Sequence, residues 1–265
     1  SAMLHGAIFV LALLAFGRVS SLSGVLTIFV TPFGMVFTLA FFQTLLYWAT
    51  LIGICNYMTR SVARELSGGT WNLLRLTPYS VAEILLAKLA VVCRMWGCAT
   101  RTLVTVRAVL LVIALGAMLM PYVQHNGEAP PPLQLQVNLT LATVFLLEPV
   151  IDVLVMASLS IFSAMLIRHT TWSLVGAYAF GALTFGGIGF LNGLWMLIRS
   201  PMGFLAGLLI PLGHWGPLFA TITPASSSDE MVQRATLYVA IYVLLPVAIA
   251  GLALWQATKW GRQIA

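Results

Sequence analysis

The chain has 265 residues, of which 60% are hydrophobic and only 8% charged, and its mean hydropathy is +1.00. Charged residues make up about a quarter of an ordinary soluble domain, so this composition excludes that class and indicates a polytopic membrane protein. The net charge of +6 does not indicate nucleic-acid binding, because the basic residues lie beside apolar runs rather than in a polar patch.

Two apolar runs open the chain. Residues 4–17 are short for a membrane span, since about 20 apolar residues are needed to cross a bilayer. Residues 25–59 form a longer run that a proline at position 32 interrupts. We expect a membrane helix from about Phe33 to Tyr57, antiparallel to the first span.

Residues 60–88 form a long polar, turn-rich passage between apolar runs. Gly69 has the backbone freedom that closes a helix in the left-handed region. Thr70 is expected to cap a short helix that ends at Thr77–Pro78, because proline disfavours helix at the preceding residue. The passage therefore predicts a short amphipathic helix at a membrane surface.

A further helix is predicted to begin at Ser80 and Glu83, which have the spacing of a capping box. Over residues 81–102, Glu83, Arg94 and Arg101 fall on nearly one line at 100° per residue, which is typical of an interfacial helix. We expect a separate membrane span over about residues 103–122, with Arg107 near its inner end reaching for the headgroups.

The polar passage contains an ordered set of residues, namely Glu65, Gly69, Thr70, Leu73, Leu74, Thr77, Pro78, Ile84 and Lys88. In this order it resembles the cytoplasmic coupling segment of type-2 ATP-binding-cassette (ABC) exporter permeases. The resemblance implies that the short helix docks on a separate ATPase subunit, that Glu65 supports the loop, and that Trp71, Leu73 and Leu74 make the contact. Outside this passage the resemblance rests on topology alone.

The passage also departs from that family. Ser67 and Asn72 stand where acidic residues are usual, and Ala87 replaces a glycine. An apolar run starts within the first few residues, where family members usually begin with a cytoplasmic amphipathic helix. This predicts either an incomplete amino terminus or a coupling apparatus that has partly decayed. The alternative interpretation of the passage is an ordinary positively charged loop.

Residues 121–138 are polar and proline-rich and are predicted to form an extended outer loop. In the span that follows, about residues 139–167, Glu148 and Asp152 lie on one helix face beside Pro149. Two carboxylates in a membrane span point towards water, a partner or a cation, which makes them candidates for a translocation path. The alternatives are pairing with an arginine such as Arg107, or placement near the interface.

A fifth span is predicted over about residues 171–198, and a sixth over about residues 236–257. Between them, prolines at 201, 211 and 217 break an apolar stretch, so residues 201–222 are predicted to form an outer re-entrant hairpin.

The distribution of charge predicts the orientation of these six spans. With both termini inside, the inner side carries ten basic residues and the outer side three, which agrees with the positive-inside rule. The inner residues are Arg60, Arg64, Arg75, Lys88, Arg94, Arg101, Arg107, Arg168, Lys259 and Arg262; the outer ones are Arg18, Arg199 and Arg234. The prediction is a single all-α domain over residues 1–265, in the plasma membrane, with cytoplasmic termini.

No Walker A pattern, G-x-S-x-G elbow or H-E-x-x-H motif occurs in the sequence, so no catalytic residue, metal site or cofactor is predicted. The leading hypothesis is the permease subunit of an ABC exporter, with a separate ATPase, a second permease subunit in a homo- or heterodimer, and lipids as partners. The alternative is a structural subunit of a larger respiratory or photosynthetic membrane complex that transports nothing.

Overall fold

The computed structural model describes residues 32–125, 131–199 and 227–263. Packing divides the chain into two compact units, Ser1–Leu45 and Leu46–Ala265. The described part of the first unit, residues 32–45, is helical. The described segments of the second unit are also almost entirely helical.

Six helices follow one another in the described chain. Helix α1 covers Pro32–Ser67, α2 covers Thr70–Arg75, α3 covers Val81–His125, α4 covers Pro132–Ile167 and α5 covers Thr170–Arg199. Helix α6 covers Ser228–Gln263 and contains a π-helical stretch at Ala240–Leu244. Five of them are long and apolar enough to cross a membrane, which confirms an all-α, multi-pass membrane protein. The predicted span at residues 4–17 and the predicted hairpin at 201–222 lie outside the described residues.

The prediction of an interfacial helix followed by a separate span is wrong, because residues 81–125 form one helix, α3. No proline interrupts it before position 121, and α-helix propagates through a lone glycine such as Gly97 at modest cost. At 1.5 Å per residue α3 is about 67 Å long, which exceeds the hydrocarbon thickness of about 30 Å. Glu83, Arg94 and Arg101 are exposed on its surface, as their common face predicts.

Helical structure extends from both sides into residues 121–138, which were predicted to form an outer loop. Helix α3 extends to His125, and α4 begins at Pro132 after Pro131 at its N-cap. Proline is favoured in the first turn of a helix, because its fixed φ is helical and its missing N–H is not needed there. The last prolines of the run therefore start a helix.

Helix α4 is the centre of the bundle. In its apolar 18-residue stretch, 72% of the residues are buried, against 22–33% in the corresponding stretches of the other four long helices. Its buried residues lie on all sides of the helix, as expected of an enclosed helix, and it contacts α3, α5 and α6. Small residues fill its second half and allow close approach; they are Ala157, Ser158, Ser160, Ser163 and Ala164, all fully buried.

Candidate functional site

The polar passage folds as a short helix between two breaks, as predicted. Gly69 has φ 72°, in the left-handed region, and it precedes the first residue of α2. Thr70 does not cap the helix as predicted, because its hydroxyl donates to the backbone carbonyl of Glu65 at 3.2 Å. At the other end, the Thr77 hydroxyl donates to the carbonyl of Leu74 at 2.5 Å, just before Pro78. The segment is thus closed at both ends by its own threonines.

The predicted capping box at the start of α3 is confirmed. The backbone N–H of Ser80 donates to Glu83 Oε2 at 2.6 Å, and the N–H of Glu83 donates to Ser80 Oγ at 3.3 Å. Two otherwise unpaired N–H groups of the first turn are satisfied in this way.

An ion pair joins the two long helices that flank the short one. Lys88 Nζ lies 2.5 Å from Glu65 Oε1, and both side chains are largely buried, with 16% and 27% exposure. Glu65 thus holds the end of α1 to the start of α3, in addition to accepting the Thr70 hydroxyl bond. The supporting role that the resemblance implies for Glu65 stays a prediction.

The predicted docking residues of α2 point in different directions. Leu73 is 64% exposed, Leu74 is partly buried against the core, and Trp71 is only 2% exposed. Direct docking of Trp71 on a partner does not agree with this burial, because its indole packs inside the chain. Leu76 and Tyr79, which the sequence analysis did not single out, are 82% and 65% exposed beside Leu73.

Arg107 is the centre of a buried polar cluster at mid-length in the bundle. Its side chain is fully buried, and its Nη1 lies 2.6 Å from Glu148 Oε2. The predicted snorkelling of Arg107 to the headgroups is therefore wrong, since the guanidinium points into the bundle and pairs with a carboxylate. The alternative in which Glu148 pairs with Arg107 is confirmed.

Pro149 gives Arg107 a second acceptor. Proline has no N–H, so the carbonyl four residues earlier, that of Phe145, receives no hydrogen bond from position 149. Arg107 Nη1 donates to this carbonyl at 2.7 Å, and its guanidinium carbon lies 4.6 Å from the centre of the Phe145 ring. Backbone, carboxylate and aromatic face of α4 thus hold one arginine from α3.

Asp152 lies one helical turn beyond Glu148 and belongs to the same cluster. It is 3% exposed, and the hydroxyl of Tyr47 on α1 donates to its Oδ2 at 2.7 Å. The Tyr47 ring also lies 5.9 Å from the Arg107 guanidinium. Both predicted carboxylates therefore face inward, and in this conformation they join α1, α3 and α4.

The π-helical stretch of α6 contacts α4, the helix that carries both carboxylates of this cluster. Tyr242, within the stretch, is 2% exposed and close enough for Coulombic interaction with Arg107, Glu148 and Asp152, and its ring stacks on Tyr238. Pro246 explains the stretch, because its ring would clash with the carbonyl of Tyr242 in a regular helix. A wider turn relieves this clash, and the N–H of Leu245 donates five residues back, to Ala240.

Among the described residues, no group of three His, Cys, Asp or Glu side chains could hold a metal ion. The three cysteines are free thiols, with Cys55 buried and Cys98 exposed.

No protein-family model matches this chain, and no curated protein or solved structure is significantly similar to it.

Proposed function

We propose that the chain is the transmembrane permease subunit of an ABC exporter, which moves a substrate using ATP hydrolysed by a separate subunit. The observation that carries this proposal is the exposed apolar surface of residues 73–79, formed by Leu73, Leu76 and Tyr79. Exposed apolar side chains in a turn that joins two membrane helices are costly unless a partner covers them. A protein partner docking at this turn accounts for them.

The surroundings of the turn fit a mechanical role. Gly69 and the two threonines define its shape, and the Glu65–Lys88 pair joins the two helices that flank it. Closure of partner ATPases would push on this segment and so on α1 and α3. In the proposed arrangement the segment is cytoplasmic, both termini are inside the cell, the membrane is the plasma membrane, and two permease subunits form the path.

The buried cluster would line the translocation path, which opens and closes as the subunits alternate between two states. Short hydrogen bonds join three helices here, through Arg107, Glu148, Asp152 and Tyr47, so opening a path through the bundle would require these bonds to exchange partners.

The same closed arrangement favours the second candidate function, a structural subunit of a respiratory or photosynthetic complex. There the cluster would only hold the helices together.

The experiment that tests the proposal is purification from the native membrane in mild detergent, with identification of copurifying proteins and an ATPase measurement on the same sample. A stoichiometric partner with a Walker A motif and ATPase activity supports the permease. Copurification with redox or pigment proteins, without ATPase activity, supports the structural subunit and refutes the permease.

Variants make the same experiment specific to the turn. Leu73→Gln together with Leu76→Gln removes most of its exposed apolar surface and is expected to release the ATPase. The matched control is Leu135→Gln. Leu135 is 48% exposed near the start of α4, at the opposite end of that helix from residues 73–79. Equal retention of the ATPase by both variants would count against docking at residues 73–79.

A further inference from the structure

The buried indole of Trp71 lies against the last turns of α6. A Cβ atom at Gly261 would lie 3.3 Å from Trp71 Cζ2, 2.7 Å from Val81 Cγ1 and 3.8 Å from Met165 Cε. The short helix α2, the first residue of α3 and the end of α4 therefore meet at Gly261 of α6, where the absence of a side chain leaves room for them. A substituent there would overpack a closely filled site.

We propose that Trp71 and Gly261 form a joint through which the coupling segment moves the end of α6. This inference rests on the proposed function and adds a positioning role for two residues that are not exposed to a partner. Trp71 is 2% exposed and Gly261 is buried, so no solvent separates them. A displacement of α2 would therefore pass to α6 through direct contact between packed atoms. Close-packed interiors transmit such displacements.

Helix α6 can carry the displacement to the buried cluster. Gly261 and Tyr242 are 19 residues apart on α6, a distance of about 28 Å along its axis at 1.5 Å per residue. The π-helical stretch at Ala240–Leu244 is the irregular point of this helix, where a rotation or bend is absorbed most easily. Tyr242 in that stretch is buried within Coulombic range of Arg107 and both carboxylates. The joint thus connects the docking turn with the centre of the bundle through one continuous helix.

The test measures movement of α6 directly and needs no knowledge of the substrate. The complex with its copurifying ATPase is placed in lipid nanodiscs, with spin labels on cysteines at Gln263 of α6 and Arg101 of α3, both exposed, and with Cys93 and Cys98 replaced by serine. In the otherwise unchanged protein, ATP is expected to shift the distance between the labels. Gly261→Ala is expected to keep the ATPase bound and active but to lose this shift.

Two further variants make the result specific. Adding Val81→Ala to Gly261→Ala removes the Cγ1 atom that the new Cβ would meet, and it is expected to restore the shift. Gly251→Ala on the same helix is the matched control and is expected to keep the shift, because no atom lies within 4 Å of a Cβ placed there. Trp71→Leu, which opens the joint from its other side, is expected to lose the shift.

The outcomes separate the joint from the function on which it rests. A full ATP-dependent shift in folded Gly261→Ala or Trp71→Leu, with the ATPase bound, overturns the joint and leaves the permease proposal standing. If no ATPase copurifies with the unchanged protein, the permease proposal fails and the joint fails with it.

Discussion

The Arg107–Glu148 pair is the interaction whose loss we expect to cost the most stability. Both side chains are almost completely buried, at 0% and 2% exposure, and their charged atoms are 2.6 Å apart. Two unit charges about 4 Å apart attract by about 4 kcal/mol at an effective dielectric constant of about 20. Removing one partner also leaves the other charge buried, so Arg107→Met or Glu148→Leu should each lower the free energy of unfolding by about 3–5 kcal/mol.

The double variant distinguishes pairing from packing. Arg107→Met with Glu148→Leu leaves no buried charge from this pair, so it should be more stable than either single variant, with a coupling energy of about 2 kcal/mol or more. The control is Arg101→Met, because Arg101 lies on the same helix but is exposed, and its replacement should change stability by less than about 0.5 kcal/mol.

Cys55 provides the measurement. Its thiol is buried, so a thiol-reactive fluorophore labels it only when the bundle opens, in a background where Cys93 and Cys98 are serine. Unfolding of each variant is followed in mixed detergent micelles as the denaturing detergent increases. Two results would refute the reasoning. One is single variants as stable as the Arg101→Met control; the other is a double variant whose loss of unfolding free energy equals the sum of the two single losses.

Three further predictions use the same measurement. Pro149→Ala restores an N–H that competes with Arg107 for the Phe145 carbonyl, so in that background Arg107→Met should cost about 1 kcal/mol less; an unchanged cost would show that this carbonyl contributes little. Tyr47→Phe removes the hydroxyl bonded to Asp152 and should cost about 1–3 kcal/mol, whereas Tyr57→Phe, at a 38% exposed position, should be near neutral. Gly69→Ala forces a side chain into φ 72° and should cost about 1 kcal/mol, while Gly97→Ala, in an open helical position, should be neutral or stabilising; equal effects would contradict the strain argument.

Local features of the fold are predictable from the sequence because neighbouring residues cause them. The Ser80–Glu83 capping box, the left-handed Gly69 and the break before Pro78 all depend on contacts within a few residues. The apolar runs likewise predict membrane helices, since each must satisfy its own backbone hydrogen bonds in lipid. The start of α4 at Pro132 is a local signal too, yet a proline-rich stretch reads equally well as a loop.

The buried cluster is only partly predictable. The four-residue spacing of Glu148 and Asp152 places both on one face, and their charge indicates that this face points inward. Arg107 is 41 residues from Glu148 in sequence and Tyr47 is 105 residues from Asp152, so no local pattern pairs them. A signal for Arg107 did exist, since a proline within a helix frees a carbonyl that a buried donor can use.

Trp71 shows most clearly where sequence reasoning ends. The resemblance to the permease coupling segment implies a docking role for Trp71, and Leu73 two residues later is indeed exposed. Only the tertiary structure brings Gly261, 190 residues away, against its indole and so buries it. The sequence by itself determined which runs are helical, the Ser80–Glu83 cap and the inward face of the carboxylates, because those follow from short-range sterics and the cost of polar groups in lipid. Which side chains pair across the bundle, and which remain for a partner, was decided by how distant helices pack.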